Sequence, residues 1–194
     1  MESNDLLEEE SNDLLEKWQQ TAHILHRSHA QLAWFNDLSG RALGLLATVF
    51  SAIVATSIFA TLTRSDKTIW LIGTGVFSIF TIILSSASQY LKLPDLSVRH
   101  NYAVDLYGKL RRDIEIALHE ESEGKKISEA RLKELSNEWA DLDRKNLPPV
   151  STYRYKKVKK EIEKEEQIEH EKKQKEITKK QLSDPKKNES IDNK

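Results

Sequence analysis

Cysteine is absent from the 194-residue chain. The protein therefore forms no disulfide and offers no thiolate metal site or cysteine nucleophile, and this composition suits a reducing compartment. A clear excess of one charge is also missing, because 30 Lys and Arg residues oppose 31 Asp and Glu residues, for a formal net charge of −1. No whole-molecule field attracts nucleic acid, so we expect no nucleic-acid partner.

Motifs that carry chemistry are missing as well. The sequence has no glycine-rich phosphate loop, no Ser-His-Asp arrangement with recognisable context, no zinc-binding spacing and no carboxylate pair typical of a catalytic cleft. It also lacks a signal-peptide pattern, because the first apolar run begins only at Ala42, behind an acidic region. We predict a protein that is not an enzyme, holds no cofactor or metal and has no cleaved leader.

Three histidines, His23, His26 and His29, recur at every third position. Neighbours at this spacing share a helix face, which would suit a metal site. The spacing drifts around a helix, however, and no cysteine or carboxylate completes a known ligand set. We therefore favour a polar or headgroup-facing stripe, and such a cluster can also take up protons near neutral pH.

Charge is absent from two long segments, residues 42–63 and 68–91, which are separated only by residues 64–67. As helices they would measure about 33 and 36 Å, enough to cross a hydrocarbon core of about 30 Å. Burial in a soluble core is the alternative, which a charged fraction of 31% and a mean hydropathy of −0.60 would favour. A chain of this size seldom wraps two such helices on all sides. The sequence predicts an all-α membrane protein with a two-helix transmembrane hairpin.

The flanks of this hairpin set its expected orientation and the domain boundaries. The flanks carry more basic residues than the turn, seven (Arg27, Arg41, Lys92, Arg99, Lys109, Arg111 and Arg112) against two (Arg64 and Lys67), which predicts that both termini are cytoplasmic. Trp34 and Phe35, followed by Arg41, are typical of anchors at a membrane interface. The predicted parts are a cytoplasmic amphipathic helix (1–40), the hairpin (41–92), a cytoplasmic helical hairpin (93–150), a charged helix (151–182) and a disordered tail (183–194).

Apolar residues of the N-terminal helix recur on one face, namely Leu7, Leu14, Trp18, Leu25 and Leu32. This spacing suits a coiled coil with another helix. Packing against helices further along the same chain is an equally good interpretation.

Small side chains recur at every fourth position of the first apolar segment, at Gly40, Gly44, Thr48, Ala52, Thr56 and Ala60. A ridge of small residues allows another helix backbone to approach closely, which is how membrane helices associate. The partner is either the second segment or the same helix of another copy, which would make the protein a homo-oligomer. The general abundance of small residues in membrane helices is the simpler alternative.

Hydroxyl side chains mark the second apolar segment, and Thr74, Ser78, Thr81 and Ser85 are candidate pore-lining residues. Their alternative role is to return hydrogen bonds to carbonyls of their own helix. No ionisable residue accompanies them, which argues against a proton-coupled transporter.

A basic stretch follows the predicted helical hairpin, and its candidate headgroup contacts are Arg154, Lys156, Lys157, Lys159 and Lys160. Basic side chains of this kind bind anionic membrane lipid. Glutamates from Glu161 onward cancel the field, so a solvated charged helix is the alternative.

The whole arrangement resembles the SLATT domain. The likeness covers about residues 15–165 and rests on the helix order, on the helix that reads RHNYAVDLYGKLRRDIE from Arg99 to Glu115, and on Leu147-Pro148-Pro149-Val150 between Trp139 and Tyr155. It implies a pore-forming effector of a bacterial conflict system, located in the inner membrane. The activating signal would come from a separately encoded sensor, nucleotide-synthesising enzyme or reverse transcriptase. A passive anchor that recruits a cytoplasmic partner is the alternative.

Overall fold

Five helices make up the secondary structure that a computed structural model describes for residues 2–63, 67–122, 125 and 127–183. They are α1 (Glu2–Thr63), α2 (Lys67–Leu91), α3 (Leu93–Ser122), α4 (Glu129–Arg144) and α5 (Thr152–Ser183). No strand occurs in these ranges. The all-α prediction is confirmed. Most of the predicted turn (64–66) and residues 184–194 of the predicted tail lie outside the described residues.

The first helix joins the predicted N-terminal amphipathic helix (1–40) and the first apolar segment (42–63). Its 62 residues make it about 93 Å long. No proline occurs before Pro94, and a glycine inside a helix costs only about 1 kcal/mol, so Gly40 and Gly44 do not interrupt it. The charged N-terminal half and the apolar half therefore form one helix.

The second and third helices are separated by one residue, Lys92. Its φ of 43° lies in the left-handed region, where a side chain other than glycine is strained by about 1–2 kcal/mol. Its carbonyl accepts a hydrogen bond from the Leu96 amide at 3.0 Å, which begins α3. Pro94 fits this first turn because its missing N–H would have no intrahelical acceptor there.

A hydrophobic core holds the N-terminal half of α1 together with α3 and α4. Its buried residues are Leu15, Ala103, Tyr107, Leu110, Ile114, Ala117, Leu135 and Leu142. The Trp18 and Trp139 rings stack with their centroids 6.0 Å apart. Trp18 and Leu25 thus pack on helices of the same chain, whereas Leu14 is 44% exposed. The side chain of Leu7 lies outside the described residues.

The fourth helix begins at a side-chain cap. The Ser128 hydroxyl accepts a hydrogen bond from the Arg131 amide at 3.3 Å, which satisfies a donor that the first turn leaves free. Lys109 of α3 donates to Glu138 of α4 at 2.9 Å. These contacts fix α4 beside α3.

The last helix, α5, belongs to a second compact unit, residues 151–194. Its first turn is capped by Ser151, whose hydroxyl accepts from the Arg154 amide at 3.3 Å. Pairs four residues apart, such as Glu169 and Lys173 at 2.8 Å, support a charged helix that lacks a long apolar stripe.

Candidate functional site

The apolar C-terminal half of α1 and the helix α2 pack against each other, and most of their described side chains are otherwise exposed. The Phe50 ring lies 5.6 Å from that of Phe77 and 6.2 Å from that of Phe80. Only 6% of the most apolar stretch of α1, and none of that of α2, is buried. Two described helices are thus long and apolar enough to cross a membrane, and their exposure is the opposite of what the core of a soluble protein shows.

The small-residue ridge points away from α2. Successive helix residues are rotated by about 100°, so Ala52 lies on nearly the opposite side of α1 from the Phe50 ring. Gly44, Thr48, Ala52 and Thr56 are all exposed, and a Cβ atom added to Gly44 would meet nothing within 4 Å. From Gly44 to Thr56, the ridge is not the surface that receives α2.

The two ends of the predicted ridge differ from its middle. A Cβ atom on Gly40 would lie 3.5 Å from the Pro94 side chain and 3.6 Å from Cβ of Leu93. Gly40 therefore packs against the start of α3. The side chain of Ala60 lies outside the described residues.

The candidate pore-lining residues form a half-buried stripe along α2. The Ser78 hydroxyl donates to the Thr74 carbonyl at 2.8 Å, and the Thr81 hydroxyl donates to the Phe77 carbonyl at 2.9 Å. Thr74 and Ser85 are half-buried too. Bonds to the helix's own backbone satisfy the Ser78 and Thr81 hydroxyl donors without water or a partner.

A polar seam lies between α1 and α3, on the N-terminal side of the apolar half of α1. We define it by its buried polar residues, which are Ser28, His29, Asn36, Ser97 and His100. His29 Nδ1 is 2.8 Å from His100 Nδ1, and the His29 ring stacks on Tyr107 at 5.5 Å. The Ser97 hydroxyl donates to the Ala33 carbonyl at 2.8 Å. The seam thus fixes how α3 pairs with α1 through directional bonds.

The histidines of this interface are held neutral. Burial, then the nearby His100 and His26, lowers the pKa of His29 to about 4. Burial and Arg99 lower the pKa of His100. Burial also raises the pKa of the Tyr107 hydroxyl. An imidazole that loses water without gaining an anionic partner is harder to charge.

The three histidines of α1 do not form a metal site. His29 meets His100, whereas His26 packs on Gly108, with Cδ2 3.2 Å from where a Cβ atom would lie. No group of three His, Cys, Asp or Glu residues within the described ranges has an arrangement that would hold a metal ion. His100 was missed by the sequence analysis because it is 71 positions away, although its place three residues before buried Ala103 on α3 was a usable signal.

The candidate headgroup contacts lie in the first turns of α5. Lys156, Lys157, Lys159 and Lys160 are exposed, and Lys159 lies 3.8 Å from Glu163. Arg154 is half-buried. The stretch presents several ammonium groups to solvent, with acidic residues directly after it.

No protein family, no curated protein and no solved structure matches this chain.

Proposed function

We propose that the protein is a two-span membrane effector that self-associates and permeabilises the inner membrane of a bacterial cell. In this proposal α1 and α2 cross the bilayer as a hairpin, and both termini are cytoplasmic. A separately encoded sensor or signalling partner triggers assembly, as the resemblance to the SLATT domain implies.

The observation that carries the proposal is the uncovered apolar surface of α1 and α2. Leu45 is 66% exposed and Ile72 is 65% exposed, and each such side chain gains free energy on moving from water to lipid. From Gly40 to Thr63, α1 is about 35 Å long, close to a hydrocarbon core. From Trp34 to Thr63 it is about 44 Å, close to a bilayer with its headgroups. Exposed Trp34 would then lie at headgroup level.

Self-association is supported by the direction of the ridge. Gly44, Thr48, Ala52 and Thr56 are exposed and point away from α2, so a second copy can approach them without displacing α2. Ridges formed by every fourth residue interlock with helices crossed at about 40–50°. The ridge therefore suits contact between α1 helices of different copies.

Membrane potential in bacteria that express the protein tests the proposal. With the activating genes present, we expect rapid depolarisation reported by a potential-sensitive dye. No depolarisation under these conditions would refute the effector proposal.

The ridge is tested by Gly44→Leu, with Gly75→Leu on α2 as the matched control. A Cβ atom at either glycine meets nothing within 4 Å, so neither change should disturb the single chain. We expect Gly44→Leu, alone or with Ala52→Leu, to abolish crosslinked oligomers and depolarisation, and Gly75→Leu to retain both. Equal effects of the two glycine variants would refute the ridge as the contact surface.

A passive membrane anchor is the second candidate. The hydrogen bonds of Ser78 and Thr81 to their own helix favour it, because these hydroxyls need no water-filled path. Replacing residues 42–91 by an unrelated transmembrane hairpin separates the two functions. An anchor would keep its activity after this exchange, whereas an effector that assembles through the ridge would lose it.

A further inference from the structure

The hydrogen bond between His29 and His100 is compatible with one additional proton but not with two, because it joins two Nδ1 atoms. The two Nδ1 atoms face each other at 2.8 Å, so one Nδ1 carries a proton and donates it, and the other accepts. A first additional proton can bind Nε2 of the donor ring, which leaves the hydrogen bond intact. A second proton must bind the accepting Nδ1, because that is the remaining basic nitrogen. Two N–H groups then face each other and two positive charges lie side by side.

We propose that this pair is an acid-released latch, which holds α3 against α1 while at least one ring is neutral and opens when both rings are protonated. Both rings are buried, with 2% and 5% of their surfaces exposed. Neither charge can therefore be hydrated while the interface is closed, and separation of the helices supplies that water. Opening requires only that protons bind Nε2 of the donor ring and Nδ1 of the acceptor ring, and no other reactant takes part.

The charged and titratable groups around the pair act in the direction that the latch requires. Those that affect the pair and its neighbours are His26 from α1, Arg99, Asp105, Tyr107, Arg111 and Arg112 from α3, and Asp143 from α4. Arg99 disfavours a charge on His100, and His26 disfavours one on His29. The carboxylates act on other side chains, Asp105 on His26 and Asp143 on Tyr107. No anion is thus assigned to the pair within the described part of the chain.

Release would reach the junction of α2 and α3. His100 is eight positions from Lys92, about 12 Å along the helix, and Ser97 binds the Ala33 carbonyl between them. Lys92 separates the two helices and has the left-handed φ of 43°. If opening at the pair also breaks the Ser97–Ala33 bond and the packing of Gly40 on Pro94, α3 separates from α1 at the end that continues into α2, whether or not the protein permeabilises membranes.

Spin labels on α1 and α3 can test the latch, since the absence of native cysteine makes labelling specific. We suggest Glu16→Cys and Asn101→Cys, which replace exposed residues, in the full-length protein in detergent. Between pH 7.5 and pH 4.5 we expect the label distance to change from one narrow population to a longer, broader one, and to recover on return to pH 7.5. An unchanged distance at pH 4.5 would overturn the proposal.

Glutamine variants distinguish the latch from general acid unfolding. In His100→Gln the amide oxygen can accept a bond from doubly protonated His29 and only one of the two buried charges can form, so the helices should separate less at pH 4.5 than in the unaltered protein, and His29→Gln should behave alike. The acid experiment uses whichever glutamine variant has, at pH 7.5, the same spin-label distance as the unaltered protein. His170→Gln, which replaces an exposed histidine of α5, should open as the unaltered protein does. Opening of the glutamine variants at pH 4.5 to the same extent as the unaltered protein would contradict the latch.

Discussion

The two halves of α1 present the same kind of residue to opposite surroundings. In the N-terminal half Leu15 is fully buried and Ile24 is 2% exposed, whereas Leu45 in the C-terminal half is 66% exposed. The helix is continuous between them, so the difference comes from their neighbours. The N-terminal half packs on α3 and α4, and beyond Gly40, which contacts the start of α3, the described side chains of the C-terminal half pack on α2. Apolar residues without protein cover are compatible with membrane insertion. Under the proposed function, α1 therefore joins a bundle in water to a span in lipid.

The largest effect should follow a cavity in the bundle. Ile114→Ala removes a fully buried side chain from the core, and we expect a loss of about 2–5 kcal/mol in the free energy of unfolding. Denaturant unfolding in mild detergent, followed by circular dichroism, measures it. Val98→Ala, at an exposed position of the same helix, should change stability little. Membrane fractionation should be unaffected by either variant, and detachment of Ile114→Ala from membranes would contradict the division into two regions.

An introduced arginine tests directly whether α2 and the bundle lie in different surroundings. Ile79 of α2 and Ile116 of α3 are similarly exposed, at 60% and 52%. In lipid, Ile79→Arg should disfavour insertion by about 3 kcal/mol, whereas Ile116→Arg should be near neutral in water. Carbonate extraction of membranes measures the integrated fraction. Equal, small effects of both variants would place α2 in water, in the same surroundings as the bundle.

Acid should weaken the bundle but not the spans, because residues 42–63 and 68–91 contain no residue that titrates in this range. The pKa of His29 falls from 6.5 to about 4 on folding, so the unfolded chain binds more protons between these values. The stability that neutral His29 preserves is complete above pH 6.5 and is lost as pH falls towards 4. From this residue alone we expect a loss of about 2 kcal/mol between pH 8 and pH 5. Denaturant unfolding at the two pH values, with and without His29→Gln, would show the loss, and a pH-independent midpoint would argue against a buried neutral His29.

The smallest predicted effect concerns the α4 cap. Ser128→Ala removes the acceptor of the Arg131 amide and should lower bundle stability by about 1 kcal/mol. Ser136→Ala is the matched control, since this exposed serine lies inside the same helix and alanine is the better helix former by a few tenths of a kcal/mol. Thermal unfolding compares them. If both variants changed the midpoint equally, the cap would have no role in positioning α4.

Sequence reasoning recovered those features of the fold that depend on local periodicity. Helical class and the two long apolar helices followed from unbroken runs of uncharged residues. The polar seam could not be found in this way, because His29 and His100 are 71 residues apart and their pairing depends on the register between α1 and α3. Tyr102 shows the same limit, since it fits the apolar spacing of α3 but is 52% exposed. The direction of the ridge also required the structure, because periodicity gives a helix face without saying which neighbour covers it.

The continuity of α1 couples the rotation of the bundle to that of the apolar half of the helix. Because Trp18 and Ala52 lie in the same continuous helix, 34 positions apart, the direction in which Ala52 points is coupled to that of Trp18. A rotation of the bundle about this axis would therefore turn the ridge by the same angle. A partner that binds the bundle and rotates it could thus determine whether the ridge or another face of the apolar half contacts a neighbouring copy. The partner itself would not need to enter the membrane.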